Sequence, residues 1–144
     1  MPTDTLTIGD QIPDFRAPTS HGQTLDPDAF VGKLPLVLVF PPEDGSGLET
    51  LGEFDRRLVE FGHRRVQLLG VLTGTAGMVR TFALEYPLHA LTLLADGDGS
   101  IRTAFGPSAE GSCFVTDLES RLRAVVPYGH EAVDELLRMT SSDE

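Results

Sequence analysis

The stretch Leu34-Pro35-Leu36-Val37-Leu38-Val39-Phe40-Pro41-Pro42-Glu43-Asp44-Gly45-Ser46-Gly47-Leu48-Glu49 decides the fold. Its first half is a continuous apolar run, rich in β-branched residues and free of polar alternation. Such a run reads as a strand buried on both faces. It ends at Pro41 and Pro42. Beyond Glu49, Leu51, Phe54, Leu58 and Phe61 recur at three- and four-residue spacing, which predicts one helix from about Leu48 to Phe61.

The alternation continues downstream. Val66 to Leu72 is a second buried strand, and Met78, Val79, Phe82, Ala83 and Tyr86 form the next helical face, ended by Pro87. Leu91 to Leu94 is a short strand. Asp96-Gly97-Asp98-Gly99 is a turn into a short helix through Ile101 and Phe105. Cys113 to Thr116 and Leu122 to Val126 are strands joined at Asp117-Leu118-Glu119-Ser120, and Val133, Leu136 and Leu137 mark a final helix. Upstream, Ile12 to Phe15 and Gln23 to Leu25 flank Ser20-His21-Gly22 as a hairpin. Asp26 before Pro27 predicts a helical turn reaching Phe30.

A hairpin, then βαβα, then ββα forces parallel pairing with right-handed crossovers and an antiparallel edge. The expected fold class is therefore α/β: a thioredoxin-like three-layer fold, its central mixed sheet flanked by helices, with an N-terminal β-hairpin extension. The 144 residues suit a single domain, 1–144, with 140–144 as a flexible acidic tail.

Composition narrows the function. A net charge of -11 works against nucleic-acid binding, because phosphate contacts need clustered cations. Arg56, Arg57, Arg64 and Arg65 are interleaved with Glu53, Asp55 and Glu60, which reads as a solvated helix face. No apolar run reaches the length of a membrane span, and the start lacks the pattern of a secretory signal, so a cytoplasmic location is expected. The single cysteine, Cys113, excludes a two-cysteine redox cycle within one chain. The four histidines are scattered singly, so no metal is expected, and no cofactor motif is present. Gly74-Thr75-Ala76-Gly77 lacks the lysine of a phosphate loop and reads as a helix start. Asp96 to Ser100 lacks the twelfth-position glutamate of a calcium loop, where Pro107 stands, and reads as a turn.

Strand, Pro42-x-x-x-Ser46-x-x-Glu49 and helix resembles the Pro-x-x-x-Ser/Thr-x-x-Cys pattern of the peroxiredoxins at every position but the last. The resemblance spans nearly the whole chain. Gly9 to Phe15 resembles the opening G-x-x-x-P-D-F of alkyl hydroperoxide reductase/thiol-specific antioxidant proteins. Ala17-Pro18 with Gly22 to Leu25 is similar to their hairpin, Leu91 to Ile101 to their L-L-x-D-x-x-G segment, and Cys113 to Asp117 to their T-F-V-I-D strand. The resemblance implies a peroxide-reducing thiolate helped by a Ser/Thr hydroxyl and an arginine. Carried over, the proline is Pro42, the hydroxyl Ser46, the peroxidatic cysteine falls on Glu49, and the arginine falls on Gly111. A carboxylate cannot cycle through a sulfenic acid. The implied chemistry is degenerate at the nucleophile and at the cation.

Two readings of Glu49 stand side by side. Ser46-Gly47-Leu48-Glu49 has the spacing of a capping box, in which each side chain satisfies the other's backbone amide. Alternatively, the carboxylate imitates a sulfinate, an over-oxidised cysteine fixed in place. Three functions follow: a non-catalytic redoxin binding a partner through the Pro42 to Glu49 region, a thiol oxidoreductase using Cys113 with an external reductant, or a subunit assembling with its own copies or an active homologue. Cys113, between Ser112 and Phe114 with no cation near it in sequence, reads as a buried small hydrophobe.

Overall fold

A computed structural model describes residues 8–12, 15–19, 23–26, 32–41, 48–85, 91–97, 99–106 and 111–140. In chain order its elements are β1 (Ala17–Pro18), β2 (Thr24–Leu25), β3 (Leu36–Phe40), α1 (Leu48–Arg56), α2 (Leu58–His63), β4 (Gln67–Thr73), α3 (Ala76–Glu85), β5 (Thr92–Asp96), α4 (Ser100–Phe105), β6 (Ser112–Thr116), β7 (Leu122–Pro127) and α5 (His130–Thr140). The apolar run is the middle strand of a five-stranded sheet ordered β5-β4-β3-β6-β7. It pairs parallel with β4, from Leu36 opposite Gln67, and antiparallel with β6, with Val39 opposite Cys113. This is the expected mixed sheet.

Alternation divides the core into two layers. Val37 and Val39 pack with Leu51, Phe54, Phe61 and Val79, and with Val133 and Leu136 of α5. Leu36, Leu38 and Phe40 pack on the other face with Ile101 and Phe105 of α4 and with Ile12 and Phe15. The two crossovers β3–α1/α2–β4 and β4–α3–β5 step in the same direction, so their helices share one face, and α4 lies on the other. Phe40, Phe105 and Phe114 meet with ring centroids 5.0 to 5.5 Å apart.

Several expectations change. The predicted single helix from Leu48 to Phe61 is two, separated at Arg57, whose N–H is shared between the carbonyls of Glu53 and Phe54 at 3.1 and 3.2 Å. The apolar spacing continues across the break, which is why the sequence conceals it. The hairpin exists, but its first arm is Ala17–Pro18, while Gln11 makes an isolated bridge to Arg121. Met78 lies on the exposed side of α3, not in its buried face. Thr140 closes α5 instead of opening a tail, and 141–144 lie outside the described residues. The turn at Ser20-His21-Gly22, the helical turn through 27–30, and Tyr86 and Pro87 also lie outside them.

Asp96 is the clearest surprise. Assigned from sequence to a turn, it ends β5 at 2% exposure, and its carboxylate accepts the N–H groups of Ile101 at 2.9 Å and Arg102 at 3.0 Å. It thereby satisfies orphan donors at the start of α4. We expect Asp96→Ala to lower the unfolding free energy by about 1–3 kcal/mol, the cost of leaving buried donors unpaired, with Asp96→Asn between the two. Urea unfolding measures this, and a loss below about 0.5 kcal/mol would contradict the assignment.

Candidate functional site

The site marked by the sequence lies at the carboxyl end of β3. Phe40 accepts a 2.7 Å hydrogen bond from the N–H of Gly111, and Pro41 is buried. Glu49 stands in the first turn of α1, exposed to solvent. A carboxylate is favoured there, because the unpaired amides and the helix dipole leave that end partly positive. Pro42 and Ser46 lie outside the described residues, and the expected capping box between Ser46 and Glu49 therefore falls outside them too.

Gly111 joins the sheet to this end in both directions. Its N–H goes to Phe40 and its carbonyl accepts the N–H of Tyr128 at 2.9 Å, so it ties β3 to the end of β7. Its φ is +80°, a left-handed conformation. Nothing lies within 4 Å of the place a Cβ would occupy, so space is no obstacle. Backbone strain is: a side chain in this region costs roughly 1–2 kcal/mol. The position to which the resemblance assigns a cation is therefore shaped for glycine.

Cys113 follows two residues later on β6, opposite Val39 on one side and Val126 on the other, at 0% exposure. Burial pushes its thiol up to about 12. At neutral pH the thiolate fraction is then on the order of 10⁻⁵, and the thiolate is the reactive form. The Tyr128 phenol is also pushed upward, first by burial and second by the charge that Cys113 would carry. Tyr128, half-buried, packs against the core cluster that contains Cys113, and both groups are neutral at pH 7. Nothing in the sequence signals this proximity, because Tyr128 lies beyond the strand predicted from Leu122 to Val126.

The arginines read as a solvated face do more than that. Arg57 donates to Glu60 at 2.9 and 3.1 Å and to Asp134 of α5 at 2.6 Å. Arg64 donates to the carbonyl of Leu137 at 3.0 Å. The bonds from Arg57 to Glu60 hold that carboxyl below its usual range, and those from Arg57 to Asp134 and from Arg64 to Leu137 tie the two ends of α2 to α5. Thr75 starts α3, its hydroxyl accepting the N–H of Met78 at 3.2 Å, as a helix start requires. Among the described residues, no three His, Cys, Asp or Glu side chains gather as metal ligands, and no helix is long and apolar enough to cross a membrane.

Comparison with known proteins agrees with this geometry. The AhpC/TSA family model matches residues 8–125. A peroxiredoxin of Archaeoglobus fulgidus is 28% identical over 148 residues, covering 91% of this chain and 68% of the relative. A peroxiredoxin of Hyperthermus butylicus is 26% identical over 162 residues, covering 99% of this chain and 68% of the relative. The crystal structure of peroxidoxin BcpB from Mycobacterium tuberculosis superposes with a TM-score of 0.80 at 21% identity, over 96% of this chain and 99% of that one. The shared fold is thioredoxin-like.

The buried thiol makes a signed prediction. Its folded value of about 12 exceeds the unfolded one, so above about pH 8.5 the unfolded chain loses a proton that the folded chain keeps. Stability contributed by this group falls as pH rises from there toward 12. Urea melts across that range should show the decline in wild type and a smaller one in Cys113→Ala. A disulfide reagent at about pH 8 should label native Cys113 at least about a hundredfold more slowly than the denatured chain. Equal rates would contradict the burial argument.

Proposed function

The chain belongs to the AhpC/TSA family, and from that premise we propose that it is a peroxiredoxin-like redoxin-domain protein without peroxidase chemistry at the family's usual position. It works instead by binding or assembly through residues 42–49. The observation that carries this reading is Glu49, a carboxylate in the first turn of the helix after the buried central strand. In the implied reaction a thiolate sulfur takes an oxygen from the peroxide and passes through a sulfenic acid. A carboxylate has no such cycle.

Two further features support the reading. Gly111 at φ +80° supplies backbone bonds, where the resemblance implies a cation. The chain's single thiol is fully buried and protonated, so the alternative, an oxidoreductase using Cys113 with an external reductant, lacks an accessible nucleophile in the folded state.

The test is steady-state reduction of hydrogen peroxide and of an alkyl hydroperoxide, with thioredoxin or dithiothreitol as reductant. Wild type should match a Cys113→Ser control, and turnover well above that control would refute the proposal. The structural share of Glu49 is measured separately by thermal and urea melts. Glu49→Gln should stay within about 0.5 kcal/mol of wild type, because an amide can complete the capping box. Glu49→Ala should lose about 1 kcal/mol or less. A Gln variant that loses several kcal/mol would show the carboxylate's charge to be needed for folding.

A further inference from the structure

We draw no further inference here: the strongest candidate, the apolar groove between α2 and β4 lined by Leu58, Val59, Val66 and Leu68, carries nothing, because its rim carboxylate Asp55 accepts the N–H of Leu91, the first described residue after 86–90, and nothing in the structure shows what covers it.

Discussion

Leu36–Phe40 is closed to water on both faces and hydrogen-bonded on both edges, with exposures of 0 to 1%. A strand with one wet face has its register fixed by polarity, because a one-residue slip would bury the polar set. This strand has no polar set. Its register has to be pinned at the ends. At the start, the Thr116 hydroxyl accepts the N–H of Leu36 at 2.8 Å, beside the irregularity between Val115 and Thr116. At the finish, Phe40 receives the N–H of Gly111. Those two bonds set where the strand stops, and hence where the chain turns toward α1.

The second pin has a chemical consequence. Gly111 can donate to β3 and accept from β7 because its φ is positive, which sends its N–H and its carbonyl to opposite neighbours. A residue in that conformation gives backbone order and no side chain. Two residues on, Cys113 fills a place between Val39 and Val126 where a thiol behaves as a small hydrophobe. Near β3, then, Gly111 and Cys113 both serve to hold the sheet together. What remains chemically distinct at the surface is Glu49, at the positive end of a helix.

Much of this was legible in the sequence because β3 and β4 are apolar without alternation, a pattern few other structures produce. The glutamate at 49 and the glycine at 111 could also be read, since residue identity at spaced positions is visible in the sequence. What escaped depends on tertiary partners. The break at Arg57 leaves the spacing of Leu51, Phe54, Leu58 and Phe61 undisturbed, and is sustained by bonds to Glu60 and to Asp134, 77 residues away. Asp96 looked like a turn residue because Asp-Gly-Asp-Gly is turn chemistry. Its burial appears only when α4 packs beside β5. The placing of Tyr128 against the cluster that holds Cys113 needed the β6–β7 pairing and the bond from Tyr128 to Gly111.

The central claim is that the junction of β3 and α1 still has the electrostatics of a reactive-thiol site, and that the residue occupying it removes the chemistry. The most direct measurement is the pKa of the thiol introduced by Glu49→Cys in a Cys113→Ala background, followed by thiolate absorbance. The account predicts a value clearly below the ordinary thiol's, about 8.5, in contrast to the value of about 12 for Cys113 in wild type. A thiol at position 49 titrating at or above the ordinary value would contradict it.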